Sequence, residues 1–176
     1  MGIDGAPSAS DGLAVVERVE AIIGQQLAFD EQIGAMFGVA LLRATTSSNQ
    51  FFDVYQWSGT GIVRSVEVRS PTILARRSPT CTCHGMVLIE LEDGSLTAHE
   101  IGPRFGTKQP GPRSIPNPGP PLSAMTRYNP LAAAALLARP RYDTYAHSWG
   151  KVSLGYTPLS GCLVSIVLEK CGNANG

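Results

Sequence analysis

Apolar residues recur every three to four positions in the first quarter of the chain, which is the spacing of an amphipathic helix. This spacing predicts a helix over Leu13–Ile23, with Asp11 as its cap and Gly24 as its end. A second apolar stripe predicts another helix over Phe29–Arg43. Both helices are expected to supply core packing and no chemistry.

The spacing changes to that of strands after residue 50. Ser58 to Gly61 is a plausible hairpin turn, and Asp93-Gly94 is a strong turn signal. One apolar run is interrupted only by Glu90, as expected for a strand covered on both faces. The segments predicted to be strands are Phe51–Trp57, Gly61–Arg69, Met86–Leu91 and the return strand Ser95–Ile101.

Proline and glycine crowd residues 102–121, which predicts a semi-rigid loop or flap without regular structure. Asn129 and Pro130 are typical of a helix start, and Pro140 ends that helix. The further predictions are a helix over Leu131–Ala138, an irregular aromatic stretch from Tyr142 to Val152, and a short strand over Val152–Tyr156.

The last apolar run, from Cys162 to Cys171, is compatible with two structures. Gly172 closes the run and favours a C-terminal helix. The β-branched residues within it also suit a strand. Of the two, we favour the helix.

These elements predict an α+β fold with an antiparallel sheet of four to six strands, N-terminal helices and a C-terminal helix. Residues 1–11 are small and polar and are predicted to form a disordered lead. Residues 12–176 are predicted to form a single domain with the Pro/Gly-rich loop at 102–121.

Charge and composition narrow the function classes. Lysine plus arginine equals aspartate plus glutamate, 14 of each, so the chain has no basic excess to attract nucleic acid or an anionic membrane. Zero net charge gives little protection against self-association, which favours a homo-oligomer or a protein partner. No apolar run approaches membrane-spanning length, and no signal peptide precedes the first helix. With four cysteines, reduced thiols in a cytoplasmic setting are expected.

The first candidate for chemistry is a cysteine nucleophile with a histidine base. Cys162 begins the predicted C-terminal helix, and the positive end of a helix favours a thiolate. His84 opens the strand Met86–Leu91, from which it could accept the thiol proton. The substrate would be a small-molecule or peptide amide, ester or thioester, and no cofactor or metal is expected.

The segments His84 to Ile89, Asp93-Gly94, Ala98-His99 and Tyr156 to Val164 together resemble the permuted papain-like hydrolases and acyltransferases. These families include the NlpC-type peptidases and the relatives of lecithin–retinol acyltransferase. The resemblance implies a hydrolase or acyltransferase in which Cys162 attacks, His84 acts as base and then as acid, and His99 on the return strand is a third member.

Two alternatives stay open. Cys81, Cys83 and His84 with a distant fourth ligand could hold zinc, although the spacing lacks a second cysteine pair. The chain could also be a non-catalytic binding, immunity or assembly protein that uses its uncharged surface and its Pro-rich loop for contacts.

Overall fold

Seven antiparallel strands form one sheet in the order β1-β2-β3-β4-β7-β6-β5. The structure is a computed structural model that describes residues 9–77, 85–92, 96–110, 140–158 and 160–170. The chain runs along β1 to β4 in sequence and returns through β5, β6 and β7, so that β7 lies between β4 and β6. The strands are β1 Leu42–Arg43, β2 Phe52–Ser58, β3 Val63–Pro71, β4 Met86–Leu91, β5 Arg141–His147, β6 Gly150–Tyr156 and β7 Leu163–Lys170.

The helices in the described ranges are short except for the first. None of them has both the length and the apolar content that crossing a bilayer would require. They are α1 Ala9–Gly24, α2 Ile33–Met36, α3 Ile73–Arg77, α4 Ala98–Ile101 and a 3₁₀ helix over Gly102–Phe105.

One side of the sheet, the core face, packs against α1. The valine and isoleucine stripe of α1 predicted from the sequence joins the inward residues of β3, β4, β7, β6 and β5 in one buried cluster, against which Tyr55 and Trp57 of β2 pack. Four side chains that are in register across the sheet, Val66, Ile89, Ile166 and Leu154, are completely buried. Burial of these rows supplies most of the apolar stabilisation of the fold.

The other side, the polar face, carries two registered rows of mostly polar residues. None of these residues belongs to the buried cluster beneath α1. Along each strand, residues of the polar face alternate with residues of the core face, because successive side chains of a β-strand point to opposite sides of the sheet. The rows are Gln56, Glu67, Leu88, Val167, Ser153 and Thr144, and Ser58, Ser65, Glu90, Ser165, Gly155 and Tyr142.

The second predicted helix was wrong over most of its length. Only α2 is helical, and the predicted end of the helix is instead strand β1. Gly38 has a φ of +69°, and the Val39 N–H donates back to the Gly34 carbonyl oxygen at 3.0 Å. The glycines therefore turn the chain towards the sheet edge instead of allowing a longer helix.

The predicted return strand Ser95–Ile101 was also wrong. The chain forms α4 there, and the neighbours of β4 are β3 and β7. The loop predicted for 102–121 begins with a 3₁₀ helix, so its first residues are regular. The turn at Asp93-Gly94 and residues 111–121 lie outside the described residues.

The largest corrections fall at the end of the chain. The stretch predicted to be irregular forms the hairpin of β5 and β6, which contains the predicted short strand Val152–Tyr156. The predicted C-terminal helix is β7, a central strand paired on both sides. The α+β class is confirmed, but the sheet has seven strands instead of four to six and the described chain ends in a strand.

The first helix and the strands β2, β3 and β4 are confirmed within a few residues. Helix α1 begins at Ala9, inside the predicted lead, and places Asp11 in its first turn instead of at its cap. Residues 1–8 and the predicted helix Leu131–Ala138 lie outside the described residues.

Candidate functional site

Cys162 lies immediately before strand β7 and is half-buried. Its N–H is close to the hydroxyl oxygens of Thr157 and Ser160, 3.3 Å from each, and its carbonyl oxygen accepts from the Thr157 N–H at 2.9 Å. No helix begins at this cysteine, so the dipole expected to favour its thiolate is missing. The Cys162 N–H is also engaged by side chains, so it is not free to form the oxyanion hole that a helix start would supply.

The segment that leads into the helix of His99 pairs with Cys162, which the sequence did not indicate. Thr97 forms an isolated bridge with Cys162, and the Leu163 N–H donates to the Leu96 carbonyl oxygen at 2.7 Å. His99 follows Thr97 by two residues and is exposed on α4. The structure therefore brings the helix that carries His99 beside Cys162.

Glu100 completes a capping box at the N-terminus of this short helix. Its carboxylate accepts from the Thr97 N–H and the Thr97 hydroxyl, each at 2.8 Å. The hydrogen bond from the Thr97 backbone is the main reason that the pKa of Glu100 is lowered, and the hydroxyl of Thr97 and the charge of His99 lower it further. The negatively charged Glu100 side chain thus stabilises the N-terminal end of α4.

His84, Cys81 and Cys83 lie outside the described residues. The first described residue after them, Gly85, accepts a hydrogen bond from the Lys170 N–H at 2.9 Å. Lys170 lies eight residues beyond Cys162, which at strand rise is roughly 26 Å. The Cys162–His84 pair stays a prediction. Among the residues that can be described, no three histidine, cysteine or acidic side chains are grouped as a metal site.

A different site lies on the polar face. An open cleft of about 490 Å³, here called the polar cleft, spans β2, β3 and β4 at the end of β2 that leads into the β2–β3 turn. Hydroxyl, amide and carboxylate groups line it, and Leu42 at one margin is 73% exposed. Its polar lining residues are Gln56, Ser58, Ser65, Glu67 and Glu90.

Glu67 is the fixed carboxylate of the polar cleft. One oxygen accepts from the Gln56 side-chain amide at 2.6 Å, and the other accepts from Arg69 Nε at 2.6 Å. Its side chain is 17% exposed. These bonds hold Glu67 in one orientation and neutralise its charge.

Glu90 is the free carboxylate of the polar cleft. It faces Ser65 in register, accepts from the Ser65 hydroxyl at 2.6 Å and is exposed. No lysine, arginine or histidine in the described ranges forms an ion pair with it. Because Glu90 is the diagonal neighbour of Glu67, their Cα atoms are roughly 7–8 Å apart. The polar cleft therefore presents hydrogen-bond acceptors and one uncompensated negative charge.

Sequence reasoning did not single out this site, although its signals are present. The imperfect alternation near Val63 corresponds to a register shift between Val63 and Ser65, after which Ser65 and Glu67 share one face. Glu90 is the one charged residue in the apolar run of β4. Combining the two signals requires the β3–β4 register, which only the structure supplies.

Comparison with protein-family models, with curated proteins and with solved structures gave no match.

Proposed function

We propose that this protein is a non-catalytic binding protein that holds a basic, extended segment of a protein partner in the polar cleft. The observation that carries the proposal is the exposed carboxylate of Glu90, which has no counter-ion among the described residues and lies in a cleft lined by acceptors. An arginine or lysine of the partner supplies the missing cation.

The chemistry of the lining favours a cationic ligand. Glu67 and Glu90 are the charged residues of the polar cleft, and the Gln56 amide nitrogen is already committed to Glu67. The polar groups that remain for a ligand are mainly carboxylate and hydroxyl oxygens, and Ala40, Leu42, Trp57 and Val66 supply apolar surface beside them. A guanidinium or ammonium group matches these acceptors, whereas an anion would be repelled.

The shape favours a polypeptide over a small molecule. A small-molecule site usually buries most of its ligand, but the polar cleft is open along one face of the sheet. Leu42 adds an exposed aliphatic side chain at its margin. An extended chain that alternates basic and apolar residues presents both kinds of side chain at strand spacing.

The test is the affinity of a labelled hexapeptide of alternating arginine and leucine, measured by fluorescence anisotropy. The matched peptide carries glutamate in place of arginine. We expect the arginine peptide to bind and the glutamate peptide not to bind. Glu90→Gln should weaken binding about fivefold, the effect of one exposed ion pair at the upper end of its range.

Glu31→Gln is the matched control, since Glu31 is exposed and lies away from the polar cleft. It removes the same charge from the molecule and should leave the affinity unchanged. Equal binding of the two peptides, or equal losses in the two variants, would refute a specific role for the polar cleft.

The second candidate function is thiol chemistry at Cys162, as a hydrolase or acyltransferase. The bridge between Thr97 and Cys162 favours it, because this bridge places the helix of His99 beside the sulfur-bearing residue. In such a reaction the Cys162 sulfur would attack a carbonyl carbon while His99 accepts the thiol proton. His99 would return this proton to the leaving amine, alcohol or thiol as its bond to the carbonyl carbon breaks, and water or another nucleophile would then release the acyl group from the sulfur. We rank it second because the cysteine precedes a strand and its own N–H is engaged.

Iodoacetamide alkylation near neutral pH separates the two candidates. Thiol chemistry requires rapid, selective labelling of Cys162 that is slowed by His99→Ala. The binding function predicts slow labelling of all four cysteines. Rapid labelling that does not change in His99→Ala would exclude His99 as the base.

A further inference from the structure

In helix α3 the small apolar residue is buried and the large apolar residues are exposed, which is the reverse of the usual arrangement. Ala75, its smallest apolar residue, is 1% exposed, whereas Ile73 is 70% exposed and Leu74 is 58% exposed. Phe51 lies beside the start of α3, because its carbonyl oxygen accepts from the Thr72 N–H at 2.9 Å, and it is 38% exposed. Adjacent exposed aliphatic residues on an ordered helix mark an interaction site.

The helix is held firmly in this orientation. The Thr72 hydroxyl donates to the Gln50 carbonyl oxygen at 2.7 Å and accepts from the Ala75 N–H at 3.2 Å. The Arg76 Nε donates to the Pro71 carbonyl oxygen at 3.2 Å. The two exposed aliphatic side chains are therefore presented without an ordering penalty when they meet a partner.

The charged residues in and next to this helix are of one sign. Residues 69–77 contain three arginines and no acidic residue, and residues 44–52 contain no charged residue. Arg76 and Arg77 are exposed and form no ion pair within the described part of the chain, while Arg69 is paired with Glu67. The nearest acidic residue along β2, Asp53, is paired with Arg43. The net charge of the whole chain is zero, but Arg76 and Arg77 place two positive charges, unpaired within the described residues, next to the exposed aliphatic side chains of α3.

We propose that Ile73, Leu74, Arg76 and Arg77, here called the α3 tip, form a peripheral binding site for an anionic lipid surface. Ile73 and Leu74 enter the interfacial layer, and the two guanidinium groups bind lipid phosphates and carboxylates. This site goes beyond the proposed peptide binding. It lies at the other end of β2 from the polar cleft, and the seven residues from Phe52 to Ser58 span roughly 20 Å.

The size of the patch favours a lipid surface over a protein. The exposed fractions of Ile73, Leu74 and Phe51 correspond to roughly 300 Å² of apolar surface, against about 800 Å² per partner in a standard protein interface. A bilayer needs no complementary shape, so a small apolar tip with basic flanks is sufficient for reversible binding.

Vesicle flotation of the full chain tests the proposal. The probes are phosphatidylcholine vesicles with and without about 30 mol% phosphatidylserine, up to about 1 mM lipid. We expect binding to the phosphatidylserine vesicles at least tenfold above binding to phosphatidylcholine alone. The double variant I73S/L74S should lose tenfold or more, and R76Q/R77Q should lose about tenfold together with most of the salt dependence.

Two control variants match these changes elsewhere on the surface. Leu13→Ser removes another exposed aliphatic side chain, on α1, and R18Q/R141Q removes two exposed arginines. Both should bind like the wild type, and circular dichroism should show that all variants fold. Equal binding to both kinds of vesicle, or unchanged binding of I73S/L74S, would overturn the proposal. So would an absence of vesicle binding combined with binding of an acidic leucine–glutamate peptide that R76Q/R77Q abolishes, which would assign the tip to an acidic protein segment.

Discussion

The two faces of the sheet are built from the same strands but make different interactions. On the core face, in-register valine, leucine and isoleucine side chains are sealed beneath α1. On the polar face, the alternate residues of these strands form hydrogen bonds and ion pairs with one another, and Glu90 is left without a counter-ion in the described chain. This difference predicts that most of the stability comes from the core face, which leaves the polar face free to carry a binding site.

Adjacent residues of β7 provide the sharpest test of this division. Ile166 faces the core and is completely buried, whereas Val167 is half-buried on the polar face. We expect Ile166→Ala to lower the free energy of unfolding by about 2–5 kcal/mol, because it leaves a cavity. Val167→Ala should lower it by about 1 kcal/mol or less. Urea unfolding followed by tryptophan fluorescence measures both.

A third variant controls for the general effect of placing alanine in β7. Val164→Ala changes a half-buried residue of the same strand and should resemble Val167→Ala. Similar losses at residues 166 and 167 would mean that the polar face carries as much packing as the core face.

The loss of stability at high pH should also be caused by residues of the core face. Burial raises the pKa of Tyr156 far above its ordinary value, and the pKa of Tyr145 is raised for the same reason. A pKa raised in the folded state contributes stability that is complete below about pH 10 and is lost as the pH rises further. Tyr156→Phe should flatten this loss by up to about 1.4 kcal/mol per pH unit.

The Tyr156 hydroxyl is buried without a hydrogen-bond partner in the described chain, so the variant should be no less stable at pH 8. Tyr142→Phe is the control, since Tyr142 is 52% exposed on the polar face. Urea unfolding between pH 8 and about pH 11 compares the three proteins. If the free energy of unfolding of Tyr156→Phe still fell steeply above about pH 10, ionisation of Tyr156 would not be the cause of the loss.

Polar-face hydrogen bonds should contribute much less to stability. Glu67→Gln removes the charge that Arg69 binds, and we expect it to lower the free energy of unfolding by about 0.5–1 kcal/mol at low salt. The effect should shrink as salt is added. Glu169→Gln, which breaks the more exposed pair with Lys151, should have a smaller effect. A loss above about 2 kcal/mol in Glu67→Gln would mean that this network supports the fold.

The sequence predicted those elements whose pattern is set locally. Helix α1 has a full amphipathic period, and β4 is a short apolar run beside a turn signal, so both were found. The run that forms β7 is apolar on both faces, so its local pattern fits a helix as well as a strand. Its central position between β4 and β6, which the sequence does not encode locally, makes it a strand.

The candidate sites depended on tertiary register, which no local pattern encodes. The expected role of Cys162 assumed a helix start, and the expected role of His99 assumed a return strand. The pairing of Ser65 with Glu90 creates the polar cleft from residues 25 positions apart. The sequence carries one local signal of the β5–β6 hairpin, which is Gly150. This residue has a φ of +158°, and its backbone lies so close to the Glu169 carbonyl oxygen that no side chain would fit.

Methyl-resolved NMR titration with the alternating arginine–leucine peptide tests the division of the faces most directly. The account predicts shifts at the methyl groups of Leu42 and Leu88 on the polar face, and none at Val87, Ile89 or Ile166 on the core face. The same shifts should diminish in Glu90→Gln and be absent with the glutamate peptide. Shifts that are centred elsewhere, or that occur equally with both peptides, would contradict it.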